Sequence, residues 1–137
     1  MITAVDTNVL LDVFGADETF GPSSKLAVRE CLAQGRLIAC DAVWAEVASA
    51  FPSSDAAMEA MANLGVAHAP TGEAGALAAG VAFRAYRARG GKRQRVVADF
   101  LIGAHAQHHA DRLLTRDRGF YRSYFRSVRV LDPSPPE

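Results

Sequence analysis

Met1-Ile2-Thr3-Ala4-Val5-Asp6-Thr7-Asn8-Val9-Leu10-Leu11-Asp12-Val13-Phe14-Gly15 decides how this chain is read. The first five residues form a short, mostly apolar run that stops abruptly at an acid. Beyond Asp6-Thr7-Asn8, the residues Val9, Leu10, Val13 and Phe14 recur at helical spacing, and Gly15 supplies a stop. A strand that ends on an aspartate and passes directly into a helix is the opening of a β–α unit.

The same alternation continues outward. Gly21-Pro22-Ser23-Ser24 is a turn and N-cap signal before a helix ending at Gly35, with Leu26, Ala27 and Cys31 expected on its inner side, joined by Val28 and Leu32. Leu37–Cys40 is as short and apolar as a buried parallel strand. Asp41 is expected to cap the next helix, which carries Val43, Trp44, Val47 and Ala48 and stops before Pro52. A helix from Ser53 or Ser54 runs to Leu64-Gly65, and Pro70-Thr71-Gly72 breaks the chain. An Ala-rich helix then spans about 73–89, with Leu77, Val81 and Tyr86 expected to face inward, followed by Gly90-Gly91 and a basic loop over 92–95. Asp99 opens a further helix. Leu113–Thr115 and Val128–Leu131 are the remaining strands. Strands alternating with helices predict an α/β sandwich around a mainly parallel sheet, in a single domain over 1–132 with a Pro-rich tail over 133–137.

Composition narrows the class. Of 137 residues, 50% are hydrophobic and 22% charged, which suits a globular chain and excludes intrinsic disorder. No apolar run approaches the roughly 20 residues that span a bilayer, so no membrane partner is expected. The N-terminus lacks a basic region and meets an acid at once, unlike a signal peptide. A cytoplasmic location is therefore expected, with Cys31 and Cys40 as free thiols in apolar surroundings rather than a disulfide. The formal net charge of zero conceals a segregation: 1–83 is strongly acidic and 84–129 strongly basic. A positive surface beside an acidic pocket suits a polyanion approaching metal-binding carboxylates, although a solvated helix face explains the same arginines.

Four acids fall where such a pocket would form. Asp6 and Asp117 each sit just beyond the carboxyl end of a strand, Glu46 lies about one turn into the helix after the second strand, and Asp99 begins a helix. In an open parallel sheet these strand ends form the ligand crevice. Singly, each acid has a plainer use: Asp6 or Asp99 as a helix cap, Asp117 as a turn residue, Glu46 as a solvated one. Together they need a neutralising cation, because clustered carboxylates raise one another's pKa. An oxygen-only donor set suits Mg²⁺ or Mn²⁺, and phosphodiester hydrolysis is the reaction such a set fits best.

Four segments carry a family resemblance. They are Val5–Asp12, Trp44–Val47, Val97–Ala106 and Leu113–Phe120. Together, in this order, they resemble the PIN-domain ribonucleases, and within them the VapC toxins of bacterial toxin–antitoxin pairs. The resemblance implies a three-layer α/β/α sandwich and a metal-dependent endoribonuclease. It implies Asp6, Glu46, Asp99 and Asp117 as the metal-binding catalytic quartet, with Asn8 orienting the first aspartate and Thr115 lining the pocket. It further implies a homodimer silenced by a VapB-type antitoxin. Gly103 stands where alanine is more usual, and His105 is unusually polar for its helix; these departures bear on packing rather than on the proposed ligands.

Other features are weighed beside this. His105 and His109 share a helix face, but no third metal ligand stands at convincing spacing unless Asp111 folds back, and His108 and His109 read better as a polar helix end. Arg93, Arg95, Arg116 and Arg118 are candidate RNA contacts. Tyr121, Tyr124 and Phe125 are either base-stacking or core aromatics. Trp44 packs on its helix face or meets a partner. A housekeeping RNA-processing nuclease and a non-catalytic RNA-binding module remain as alternatives. A phosphatase would want a second aspartate where Asn8 stands, and a receiver domain a late lysine after a strand.

Overall fold

Strand β1 (Ile2–Val5) forms the middle of a five-stranded sheet ordered β3-β2-β1-β4-β5, with every pairing parallel. The computed structural model describes residues 1–92 and 95–135. Around the sheet lie α1 (Thr7–Phe14), α2 (Gly21–Gln34), α3 (Asp41–Ser49), α4 (Ser54–Leu64), α5 (Gly72–Ala88), α6 (Val97–His109) and α7 (Arg118–Tyr124). The other strands are β2 (Arg36–Ala39), β3 (Val66–His68), β4 (Arg112–Leu114) and β5 (Val130–Leu131). This is the expected three-layer α/β/α arrangement.

Each central strand is apolar because helices cover both its faces. Ala4, Val5, Leu37, Ile38, Leu113 and Leu114 are all buried, and Val9, Val28, Val43, Val47 and Phe100 close over them. Register is set by Thr3 opposite both Leu37 and Arg112, and by Val5 opposite Leu114. The passage from α2 into β2 needs Gly35: a Cβ there would lie 1.9 Å from the Met1 carbonyl oxygen, where the Arg36 amide pairs with that same carbonyl at 2.9 Å.

Several expectations are corrected. The sheet has a fifth strand, β3, because the left-handed Gly65 (φ 94°) ends α4 and turns the chain straight into pairing with β2. Arg118–Tyr124 form α7, a helix the sequence reading does not assign. The last strand is shorter, with Val128 buried ahead of it. Helix α6 starts at Val97, two residues before Asp99. Asp41 does not cap α3 with its side chain; it lies in the first turn and ion-pairs with His68 on β3. Leu26, Leu77 and Val81 face solvent. Helix α5 meets α6 closely, and the buried positions on α5 are the small residues Ala79 and Gly75, where a Cβ on Gly75 would meet the Thr71 side chain at 2.7 Å. Tyr86 is half-buried against Phe100, as expected.

Tyr121 and Phe125 are buried and unavailable to stack on bases, whereas Tyr124 is half-buried. Both belong to an aromatic cluster centred on Phe100, which meets Phe83, Phe120, Tyr124 and Phe125. Gly103 leaves room for that cluster: a Cβ there would sit 2.3 Å from the Phe125 ring. Cys31 and Cys40 are free thiols, but Cys31 is not wholly in apolar surroundings, since the Arg112 guanidinium reaches its sulfur at 3.4 Å. Trp44 is half-buried and perpendicular to the His68 ring, and its indole nitrogen has no hydrogen-bond partner among the described residues. The chain stays on the body through buried Pro133.

Candidate active site

Asp6 stands one residue beyond β1, and its amide extends the pairing to the Leu114 carbonyl at 2.9 Å. One carboxylate oxygen, Oδ1, accepts from the Thr7 amide at 2.7 Å, so the same side chain caps α1. The other, Oδ2, accepts from Thr115 Oγ1 at 2.7 Å, Tyr121 OH at 3.1 Å and Asn8 Nδ2 at 3.4 Å. The carboxylate is 6% exposed. Burial pushes its pKa up to about 6; the hydrogen bonds from Thr115, Thr7 and Tyr121 work against that rise, and the charge of Asp99 adds to it. Burial likewise drives the Tyr121 hydroxyl far above its ordinary value, helped by the charges of Asp6, Asp99 and Asp117. Tyr121 therefore stays protonated and donates.

Thr115, just past β4, is fully buried and joins the two strand ends. Its hydroxyl donates to Asp6 and accepts from the Asp117 amide at 3.0 Å and from Asn8 Nδ2 at 3.4 Å. The Asn8 carbonyl in turn accepts from the Arg116 amide at 3.2 Å. Glu46, exposed on α3, reaches the group through Thr7, whose hydroxyl donates to Oε1 at 2.8 Å. Asp99 is half-buried in the first turn of α6, and its Oδ2 accepts from the Val96 amide at 3.1 Å. Asp117 is paired with the Arg95 guanidinium through both oxygens.

The structure thus links Asp6, Asn8, Thr115 and Asp117 through hydrogen bonds, places Asp99 within electrostatic reach, and ties Glu46 in through Thr7. Among the described residues, no three His, Cys, Asp or Glu side chains are gathered closely enough to hold one ion. The donor chemistry nevertheless fits a hard divalent cation. The candidates are all carboxylates, and among the described residues every hydrogen-bond donor to the buried Asp6 is neutral, so none of them gives its charge a cationic partner.

The candidate RNA contacts differ in situation. Arg95 is half-buried between Asp117 and the Phe120 ring, 4.3 Å from the ring centroid. Arg116 forms a two-pronged pair with buried Asp12, at 2.7 and 3.0 Å, and lies over Phe20. Ser24 Oγ donates to the same carboxylate at 2.9 Å, so Arg116 has a structural task whatever else it does. Arg118 is the most exposed of the three, 3.6 Å from Asp132. Arg93 lies outside the described residues. Tyr121 is the site residue that sequence reasoning missed. The run Phe120-Tyr121-Tyr124-Phe125, with its helical spacing, is the signal that points to a packed helix there.

The family described as PIN domain matches residues 3–126. No curated protein sequence gives a match. Similar solved structures include VapBC2 from Rickettsia felis bound to a promoter DNA fragment, at TM-score 0.74 and 14% identity, covering 96% of this chain and 98% of that one. VapBC-1 from nontypeable Haemophilus influenzae is similar at TM-score 0.72 and 19% identity, covering 97% and 98%. FitAcB from Neisseria gonorrhoeae is similar at TM-score 0.68 and 18% identity, covering 97% and 98%. At these identities the likeness establishes the shared fold.

Proposed function

Since this chain belongs to the PIN-domain family, we propose that it is a metal-dependent endoribonuclease and the toxin of a VapBC-type toxin–antitoxin pair. The observation that carries the reading is the buried Asp6 carboxylate. It sits at the carboxyl edge of an all-parallel sheet, is met among the described residues only by neutral donors, feels the charge of Asp99, and is linked to the Asp117 amide through Thr115.

Asp6, Glu46, Asp99 and Asp117 would hold Mg²⁺ or Mn²⁺, which when bound supplies an activated water and charge stabilisation at the scissile phosphate. Thr115 and Asn8 hold Asp6 in one orientation and tie the Asp117 loop to it. Arg93, Arg95, Arg116 and Arg118 supply positive charge for the RNA backbone, which gives affinity and its salt dependence. The neighbours named as VapBC support a VapB-type antitoxin as partner; a homodimer and a cytoplasmic location belong to the same proposal. No described helix is long and apolar enough to cross a membrane.

The test is cleavage of total bacterial RNA by purified protein, with Mg²⁺ or Mn²⁺ and then with chelator, beside Asp6→Asn. Discrete products from wild type alone, lost on chelation, are expected. Metal-independent cleavage, or equal cleavage by Asp6→Asn, would overturn the metal-site reading. Full biological effect of Asp99→Asn would favour a non-catalytic binding module. The toxin role is tested by growth arrest on expression and its relief by the product of a neighbouring gene.

A further inference from the structure

We infer that Tyr121 is a positioning residue, which fixes the orientation in which Asp6 is offered to a divalent cation. The inference rests on the metal-site reading above and extends it to a residue outside the acidic quartet.

The argument is one of lone pairs. Asp6 Oδ2 accepts from two buried hydroxyls, Thr115 Oγ1 at 2.7 Å and Tyr121 OH at 3.1 Å, with the longer Asn8 contact at 3.4 Å. An ionised carboxylate oxygen has about two lone-pair sites, so Oδ2 is fully engaged. Among the described residues Oδ1 accepts one hydrogen bond, from the Thr7 amide. One lone pair, on Oδ1, is left for a cation.

Tyr121 reaches Asp6 because α7 is seated by aromatics. Phe120 and Phe125 pack on Phe100, and Phe125 lies over Gly103. Tyr121 is 1% exposed, so its ring is held by the core while its hydroxyl faces the site. A phenylalanine would fill the same space. The hydroxyl therefore adds nothing to packing, and Asp6 is the group to which it donates. Partners that orient a metal ligand typically change metal affinity 10–100-fold when removed.

Mn²⁺ binding to the full-length protein, followed by calorimetry or by loss of the free-ion electron paramagnetic resonance signal, tests this without any activity assay. Tyr121→Phe is expected to raise the Mn²⁺ dissociation constant about 10–100-fold while the metal-free circular-dichroism spectrum stays that of wild type. Thr115→Val removes the other hydroxyl from the same oxygen and should weaken Mn²⁺ in the same direction, so the inference does not hang on one variant's folding. Binding lost in Asp6→Asn but unchanged in Tyr121→Phe overturns the inference and leaves the metal reading standing. Equal Mn²⁺ binding by wild type and Asp6→Asn overturns both.

Discussion

Arg95 closes over Asp117: its guanidinium engages both carboxylate oxygens while its flat face lies 4.3 Å from the Phe120 ring centroid. An acid proposed to hold a cation is thus already occupied by one the chain itself supplies. The pair is about a third exposed on the carboxylate side, so solvent screening limits its strength.

Arg95→Ala should consequently free Asp117 for metal. The Mg²⁺ concentration for half-maximal cleavage is expected to fall by a factor of up to about 5, the worth of a partly exposed ion pair. RNA binding is expected to weaken at the same time, more at low salt than at high. A rise in the Mg²⁺ requirement would show that Arg95 does not compete for that carboxylate.

The pH dependence of metal-free stability carries two opposing terms. Asp6 has a folded pKa raised to about 6, so its contribution is most favourable at low pH and is lost as pH rises through 6. His105, buried and held down to about 4 mainly by desolvation, contributes stability above pH 6.5 that is lost as pH falls through 4. In chelator, Asp6→Asn is expected to exceed wild type at pH 7 by on the order of 3 kcal/mol. That advantage should shrink toward pH 4, where wild-type Asp6 is protonated. Urea unfolding at pH 7, 5.5 and 4.5 measures it; an advantage that does not shrink excludes burial of a charged Asp6 as its source. Excess Mg²⁺ should reverse the order at pH 7.

Arg116 and Arg118 should separate cleanly. Arg116→Ala leaves the Asp12 carboxylate buried without its cation and is expected to cost about 3 kcal/mol of unfolding free energy. Arg118→Ala, at an exposed site, should change stability by less than about 0.5 kcal/mol. If Arg118 meets a phosphate, its removal also lowers the salt slope of RNA binding by about 1. Chemical denaturation and a salt titration of RNA affinity read the two effects independently.

Gly103→Ala should destabilise the protein although alanine is the better helix former by about 1 kcal/mol. The new methyl would meet the Phe125 ring at 2.3 Å, and overpacking of that kind costs about 1–3 kcal/mol. A lowered urea midpoint is expected, and a raised one would mean that the ring gives way without strain.

The parts of this molecule legible in the sequence are those where one residue's local chemistry and its place in the fold agree. Asp6 stands out because an acid directly after an apolar strand marks the strand's end and the candidate crevice alike, and Asp117 follows β4 at a distance of three residues. Strand β3 is three residues long, too short for periodicity to register. Helix α7 has only seven residues behind an Arg-Asp-Arg-Gly turn signal, and so short a helix exists by packing on Phe100 rather than by propensity. The face of α5 was misjudged for the converse reason. Leu77 and Val81 draw attention as apolar residues, but the face that α5 buries is the one carrying the small Gly75 and Ala79. Tyr121 stayed hidden because its role depends on a bond spanning 115 residues of chain.

That span also sets a timetable. Asp6 leaves the ribosome well ahead of Thr115 and Tyr121, which lie 109 and 115 residues further along the chain, with Asp117 between them. At roughly 5–20 residues per second, the interval is about 5–20 s. During it, β1 has no β4 to pair with, Asp6 lacks two of its hydroxyl donors, and Arg95 has no Asp117 to cover. Until those residues emerge, the nascent chain carries only part of the candidate site, and Asp6 waits without the hydroxyls that orient it.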